Sequence, residues 1–170
     1  ILSDLKVGQL GAGNPESVRM GFDQNMGSMY PFSLAEKLQA ITEDHEYYHD
    51  PNQDALPWEK PVVPLEMISV LTQYTSGLSG YRSRGPAIGL FAGQEIKLIN
   101  GPIFVDHPYK LEREIVALSE SKRTESNWIK TKVIDEVSEQ LVAEVILNSA
   151  TLKDSYEKYE EDARALGLNV

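Results

Sequence analysis

One stretch of this chain, from Leu65 to Leu78, limits the fold more than any other because it reads as a single long apolar helix. Pro64 suits the start of a helix, where a missing N–H removes no intrahelical bond, and Gly77 and Gly80 mark the end. Glu66 is the only charged residue in the stretch. Its apolar side chains recur at helical spacing: Met67, Ile68, Val70, Leu71, Tyr74 and Leu78. We therefore expect a mostly enclosed helix at the centre of the fold.

The residues after this helix change to the alternating pattern of strands. The predicted strands run from Ile88 to Leu98, from Tyr109 to Leu118, from Asn127 to Ile134 and from Gln140 to Leu147. In the first of them, the residues predicted to share one face are Ile88, Leu90, Ala92, Gln94, Ile96 and Leu98. Consecutive strands joined by short turns imply an antiparallel sheet. The pattern thus predicts an α+β fold in which the sheet wraps around the helix.

A single helix cannot cover a broad sheet, so we expect a second copy of the chain to complete the shell as a homodimer.

Residues 1–30 are predicted to form a loop-rich arm with a short strand from Ser17 to Met20. Ser33 and Glu36 fit a capping box, which predicts a helix from Leu34 to Ile41 or Glu43. The C-terminal segment, 153–170, holds a charged helix from Ser155 to Leu166. We expect residues 1–170 to form one domain.

The composition excludes several classes of function. The net charge is 16 − 26 = −10, which disfavours binding to nucleic acid or to an anionic membrane surface. The absence of cysteine removes disulfides, thiolate metal sites and a cysteine nucleophile. No window is long and apolar enough to span a bilayer, and the first residues do not resemble a signal peptide. The default expectation is a cytoplasmic protein.

The candidate chemistry lies just before the central helix, at Asp44 and His49. On an ideal helix, residues five apart diverge by about 140°, but in a turn that leaves a helix they can converge. A carboxylate beside an imidazole is a tunable acid–base pair near neutral pH. The helix that begins near Pro64 adds unpaired amides and a positive dipole end, where an oxyanion can sit.

These residues resemble a known family. The stretch DHEYYHDP at residues 44–51 resembles the D-x-N-P-x-H-x-D-P signature of the MaoC-like (R)-specific enoyl-thioester hydratases and dehydratases, which adopt the hotdog fold. PVVPLEM at residues 61–67 is similar to the family segment that opens the central helix, and the resemblance covers about residues 31–147. Glu46 and Tyr47 replace the Asn and Pro of the motif, and Glu66 lies near a position where these hydratases often have glycine.

The resemblance implies a reaction and a set of residues. His49 and Asp44 would act as general base and acid on a water that adds across, or leaves from, a conjugated double bond. Backbone amides near Leu65 and Glu66 would stabilise the enolate oxygen. The substrate would be a small molecule or acyl thioester. An aromatic-rich pocket formed by Tyr47, Tyr48, Trp58 and Tyr74 would fit a bulkier one, such as a polyketide-like or ring-bearing molecule. The predicted substrate-binding residues are Tyr48, Trp58, Pro64, Leu65, Glu66 and Tyr74.

The other titratable residues of this region have simpler interpretations. His45 is expected to be solvated, and His107 to shape a turn before Pro108 or to face the pocket from the sheet. Asp50 and Glu46 could bind a metal with the two nearby histidines, but ligands packed into one turn without a distant partner are a weak signal. We therefore expect no metal and no cofactor.

Three other functions remain open. Double-bond isomerisation or cyclisation would use the same acid–base pair without net water. A catalytically silent hotdog subunit would bind an apolar ligand or support an active partner chain. Thioesterase activity is less favoured, because the spacing of Asp44 and His49 belongs to the hydratase pattern.

Overall fold

The computed structural model describes residues 4–41, 43, 45–49, 57–82 and 86–168. The helices and strands in these ranges are β1 (Glu16–Val18), α1 (Leu34–Ala40), α2 (Leu65–Tyr74), β2 (Gly89–Leu98), β3 (Tyr109–Glu120), β4 (Thr124–Asp135), β5 (Leu141–Leu152) and α3 (Tyr159–Ala165). Short 3₁₀ helices lie at Glu46–Tyr48, Ser76–Ser79 and Lys153–Ser155. Among the described residues, no helix combines the length and apolar character needed to cross a membrane.

The five strands form one antiparallel sheet in the order β1-β3-β4-β5-β2. The predicted α+β fold with an antiparallel sheet is therefore confirmed. Strands β3, β4 and β5 pair along nearly their whole length, because short turns join them into a meander. Strand β2 pairs with β5 on one side and lies at the edge of the sheet.

The core lies between α2 and one face of the sheet. Met67, Ile68 and Leu71 of α2 are at most 1% exposed. They share one apolar cluster with sheet residues such as Leu111 and Val133. Burial of these side chains stabilises the fold by about 1.5–3 kcal/mol for each large residue. The helix predicted to organise the fold is indeed its centre.

The predicted length and enclosure of the central helix are wrong in part. The α-helix ends at Tyr74, and the chain continues as the 3₁₀ turn Ser76–Ser79 until Gly80, whose φ of 73° suits glycine. Leu65 and Leu78 are 55% and 60% exposed. The sheet covers only the middle of the predicted helix, so the residues at its two ends, Leu65 and Leu78, are exposed to solvent.

The prediction that one face of β2 carries every second residue is also wrong. The register shifts between Phe91 and Gly93, which pair with the consecutive residues Ser149 and Asn148. The extra residue, Ala92, forms a bulge and moves the residues before it to the other face. Leu90 and Gln94 therefore lie on opposite faces.

The elements that flank the central helix and the sheet are of the predicted types, but some of them begin or end at other residues than predicted. The capping box of α1 is confirmed, since Ser33 N donates to Glu36 Oε2 at 2.8 Å and Glu36 N donates to Ser33 Oγ at 3.2 Å. Strand β1 begins and ends earlier than predicted. Helix α3, Tyr159–Ala165, is shorter than predicted, because residues Lys153–Ser155 form a separate 3₁₀ turn.

A buried ion pair joins the N-terminal arm to the sheet. The side chains of Arg113 on β3 and Glu16 on β1 are 1% and 0% exposed, and Arg113 Nη2 donates to Glu16 Oε2 at 2.9 Å. Thr75 Oγ1, just after α2, donates to the same carboxylate oxygen at 2.6 Å. Arg113 Nη1 donates to Thr131 Oγ1 on β4 at 3.3 Å. The cluster thus connects four elements through one pair of charges.

Candidate active site

A short 3₁₀ turn presents His49 to solvent. The turn, Glu46–Tyr48, begins at His45, whose Nδ1 accepts a hydrogen bond from Tyr47 N at 3.2 Å. The His45 ring also stacks edge-on against Tyr47. His45 is exposed, as expected, but it caps the turn as well. His49 follows directly, and its N–H donates to Glu46 O at 3.3 Å, so the conformation of the turn fixes where His49 leaves it.

One backbone contact joins this turn to the residues just before the central helix, and a second joins those residues to Ile103. Val62 N donates to Tyr47 O at 2.7 Å, and Val63 N donates to Ile103 O at 2.8 Å. Pro64 follows, is buried and is the N-cap of α2. The first of these hydrogen bonds joins the turn that ends at His49 to Val62, three residues before Leu65 and the predicted oxyanion site. The predicted acid, Asp44, lies outside the described residues, so its convergence with His49 stays a prediction.

The start of α2 has backbone donors available for a ligand. Pro64 has no side-chain donor or acceptor, and within the described residues no side chain caps the helix. Leu65 and Glu66 occupy the first turn and are exposed. The amides of a first helical turn have no intrahelical partner and carry the positive end of the helix dipole. This arrangement can stabilise a negatively charged oxygen.

The aromatic residues predicted to form one pocket fall into two groups. Trp58 contacts Tyr47 edge-on at 5.5 Å between ring centroids, close to the His49 turn, and is 37% exposed. Tyr48 is half-buried and packs against the core. Tyr74, by contrast, is at the far end of α2, where it lines a different surface. The aromatic pocket predicted from the sequence is therefore not a single pocket within the described residues.

That different surface is a groove of about 750 Å³ between α2, the edge strand β2 and the loop 26–30. We refer to it as the α2–β2 groove. Glu66 and Tyr74 are the predicted substrate-binding residues that line it, whereas Tyr48, Trp58, Pro64 and Leu65 do not. Because Glu66 is in the first turn of α2, the groove begins at the candidate oxyanion site and follows the helix toward Gly77.

Sequence reasoning missed the partner of Glu66. Lys37 Nζ on α1 lies 3.0 Å from Glu66 Oε1, and this pair raises the pKa of Lys37. Both residues line the α2–β2 groove. No local pattern relates a lysine on one helix to a glutamate on the next, so only the tertiary structure reveals the pair.

His107 is buried and forms a partly buried polar cluster away from the groove. Its Nε2 is 2.8 Å from Asp135 Oδ2, and its Nδ1 is 3.0 Å from Lys60 Nζ. An ammonium group can only donate, so Nδ1 accepts from Lys60 and the ring proton on Nε2 is donated to Asp135. Through Lys60, His107 and Asp135, this cluster attaches the loop that contains Trp58 to the C-terminal end of β4. His107 therefore does more than shape a turn, and within the described residues no group of acidic or histidine side chains is arranged to hold a metal.

The pKa of Asp135 determines part of the pH dependence of the protein's folding stability. Burial alone would raise the pKa of Asp135, but donors from Ser138 N, Val137 N and the His107 ring outweigh it and lower the pKa. A lowered pKa in the folded state adds stability that is present above the unfolded pKa, about 3.9, and is lost as the pH falls below it.

We expect Asp135→Asn to destabilise the protein by about 1–3 kcal/mol at neutral pH, because three donors lose their charged acceptor. The difference from the unsubstituted protein should shrink as the pH falls below about 3.9, because the unfolded chain takes up the proton there before the folded Asp135 does. Urea unfolding at neutral and acidic pH measures both values. An equal difference at both pH values would contradict this account.

Comparisons with known proteins agree with the fold. No protein-family model matches this sequence, and no curated protein matches it. Among solved structures, the chain is similar to the C-terminally truncated HadBC (3R-hydroxyacyl-ACP dehydratase) complex of Mycobacterium tuberculosis, with a TM-score of 0.65, 14% identity, and 88% and 99% of the two chains covered. It is also similar to the (R)-hydratase of A. caviae involved in PHA biosynthesis, with a TM-score of 0.58, 22% identity, and 86% and 96% coverage.

A third similar structure is the MaoC-like dehydratase of Rhodospirillum rubrum, with a TM-score of 0.51, 12% identity, and 88% and 94% coverage. The protein is thus an α+β protein with the hotdog fold, in which the antiparallel sheet wraps around α2. Within that fold, its structural neighbours are MaoC-like hydratases and dehydratases, as the DHEYYHDP motif predicted. At these identities the likeness establishes the fold, and the reaction has to be argued from the site.

Proposed function

We propose that this chain is a hydro-lyase that adds water to, or removes it from, a carbon–carbon double bond conjugated to a carbonyl group. The observation that carries the proposal is the 2.7 Å hydrogen bond from Val62 N to Tyr47 O. It holds the turn of His49 against the residues that lead into α2. This contact supports the proposal that the His49 imidazole and the first amides of α2 act on one substrate, as acid–base chemistry next to a carbonyl requires.

In the dehydration direction, the His49 imidazole removes the proton from the carbon between the carbonyl and the hydroxyl-bearing carbon. The negative charge then moves onto the carbonyl oxygen, and the amides of Leu65 and Glu66 stabilise it. Asp44 acts as the general acid that protonates the departing hydroxyl, so that water leaves. In hydration the same groups exchange their acid and base roles. The helix N-terminus stabilises the negatively charged intermediate more strongly than the neutral bound substrate, and this difference lowers the barrier of the reaction.

The substrate proposed is an enoyl or β-hydroxyacyl compound whose apolar part lies in the α2–β2 groove. A volume of about 750 Å³ is within the range of small-molecule sites. Val70 and Phe91 supply apolar surface along the groove, and Tyr74 lies near its far end. Trp58 and Tyr48 do not line the groove: Trp58 contacts Tyr47 of the His49 turn, and Tyr48 packs against the core.

The test is turnover of a panel of trans-2-enoyl compounds, presented as free acid, amide, coenzyme A thioester and carrier-protein thioester, in H₂¹⁸O. The proposal expects a β-hydroxy product that carries ¹⁸O from the solvent. Turnover to a rearranged product without ¹⁸O would instead identify an isomerase or cyclase. Absence of turnover with the whole panel, together with binding of an apolar compound, would identify a silent ligand-binding subunit.

We also propose that the chain assembles as a homodimer through the edge strand β2. Its apolar residues Leu90, Phe91 and Leu98 are 47%, 62% and 49% exposed. An exposed apolar edge strand has unpaired backbone groups that can pair with another strand. A second copy placed along this edge would extend the sheet and cover the open side of the α2–β2 groove.

We expect Phe91→Lys to convert the dimer into a monomer, because it places a charge in the middle of this interface. Light scattering after size-exclusion chromatography measures the mass directly. Val137→Lys is a matched control, since Val137 is 74% exposed in the β4–β5 turn and should leave the mass unchanged. A monomeric unsubstituted protein, or a dimer that persists in Phe91→Lys, would contradict this assembly.

A further inference from the structure

The charges of the α2–β2 groove restrict what it can bind. Among the described residues that line it, Lys37 and Glu66 are the only charged ones, and their side chains lie 3.0 Å apart. Their charges cancel, so the groove presents no unbalanced cation. An anionic ligand would meet Glu66 as well as Lys37, in a protein whose net charge is already −10.

The uncharged lining of the groove is suited to a neutral ligand. Met26, Tyr30, Val70 and Phe91 provide apolar surface. The amides of Gln73 and Gln94 and the hydroxyl of Tyr74 provide hydrogen-bonding groups without charge. An apolar pocket with a few convergent neutral polar groups orients a ligand without selecting for ionised ones.

We propose that Glu66 is a specificity-determining residue that makes this groove select uncharged, mainly apolar conjugated carbonyl compounds, such as an α,β-unsaturated ketone, amide or ester, over carboxylates and phosphate-bearing thioesters. The inference rests on the proposed function, since it takes the groove to be the substrate site. Glu66 does this in two ways: it repels an anion directly, and it neutralises Lys37, the cation that would otherwise attract one.

The test compares two probes that differ in charge but hardly in shape, trans-2-octenamide and trans-2-octenoate, by titration calorimetry at neutral pH. We expect the full chain to bind the amide about tenfold more tightly than the carboxylate. Glu66→Gln keeps the size of the side chain but leaves Lys37 unbalanced. It should raise the affinity for the carboxylate about three- to fivefold, since the pair is partly exposed to solvent, and change the affinity for the amide less than about twofold.

Two further variants separate a local effect from a general change in net charge. Glu160→Gln is the matched control: Glu160 is also ion-paired, with Arg164 Nη2 at 2.7 Å, but it is on α3 and outside the groove. It changes the net charge equally and should change neither affinity by more than about twofold. Lys37→Met combined with Glu66→Gln should restore the preference for the amide, because both charges are then gone.

The proposal is overturned if the unsubstituted chain binds the carboxylate as tightly as the amide, if Glu66→Gln behaves like Glu160→Gln, or if neither probe binds. The last result would mean that another occupant, such as a second copy of the chain, fills the groove. His49→Ala keeps this test separate from the chemistry, because it should retain both affinities. If the chain binds the amide selectively but catalyses no turnover, the inference about Glu66 stands and the hydro-lyase proposal is refuted. If the chain catalyses hydration but Glu66→Gln does not change the selectivity, the hydro-lyase proposal stands and the inference about Glu66 is refuted.

Discussion

We expect the His49→Ala variant to hydrate its enoyl substrate with a kcat/KM about 10²–10⁴-fold lower than that of the unsubstituted chain. His49 is exposed at the end of the turn that Val62 N holds against the approach to α2, so its loss would remove the proposed base without unpacking the core. Steady-state kinetics measure the effect. Because the imidazole acts on the transition state, kcat should fall far more than KM changes.

The turn offers a matched control for this substitution. His45→Asn also removes an imidazole, but Asn keeps a side-chain acceptor for Tyr47 N and so preserves the cap. We expect it to retain most of the activity. Asp44→Asn should lose about as much as His49→Ala, and the double variant little more than either, if the two residues act as the proposed unit. Full turnover in His49→Ala, or an equal loss in His45→Asn, would contradict the assigned roles.

The second large effect concerns stability. We expect Glu16→Gln to lower the free energy of unfolding by about 3–5 kcal/mol, because it leaves the Arg113 guanidinium buried without a countercharge. Arg113 is 2% exposed, so solvent cannot replace the lost carboxylate. The loss is well above the cost of an ordinary surface substitution and a large share of the stability of a typical domain. Urea denaturation followed by circular dichroism measures it.

Two comparisons make this prediction specific. Arg113→Met combined with Glu16→Leu should cost less than Glu16→Gln alone, because an apolar pair leaves no buried charge. Arg164→Ala breaks an ion pair whose side chains are 69% and 70% exposed, and should cost at most about 0.5 kcal/mol. If Glu16→Gln were as mild as Arg164→Ala, the buried pair would not have the structural role assigned to it.

The elements of this fold were predictable where one local pattern determines them. The apolar stripe of Met67, Ile68 and Leu71 predicts a central helix, and the capping box at Ser33 predicts where α1 begins. Both patterns depend on neighbours along the chain, which the sequence displays directly. The alternating residues of β3 to β5 predict the antiparallel meander for the same reason.

Features that depend on distant residues could not be predicted in this way. The bulge at Ala92 is visible only when β2 is paired with β5, and it alone moves Leu90 to the opposite face. Arg113 and Glu16 are separated by 97 positions, and nothing near either of them indicates that they pair. The groove is similar: Lys37 and Glu66 meet only because α1 packs beside the start of α2.

The candidate site also has a part that local sequence patterns predict and a part that depends on distant residues. The motif of residues 44–51 predicts which side chains carry the chemistry, and the local turn that ends at His49 is hydrogen-bonded through Tyr47 to Val62, two residues before Pro64. The proposed substrate surface had to be found in three dimensions, because α2, β2 and the loop 26–30 come from separate parts of the chain. Of the predicted substrate-binding residues, Glu66 and Tyr74 line it.

The most direct test of the proposed chemistry is a crystal structure of the full chain with an unreactive enoyl amide bound. The hydro-lyase account predicts that the His49 imidazole and the Asp44 carboxylate both lie within about 3 Å of the reacting carbons or of one bridging water. It also predicts that the carbonyl oxygen of the amide accepts from the first amides of α2. A ligand bound in the groove with the two side chains directed away from it, on separate surfaces, would contradict the account.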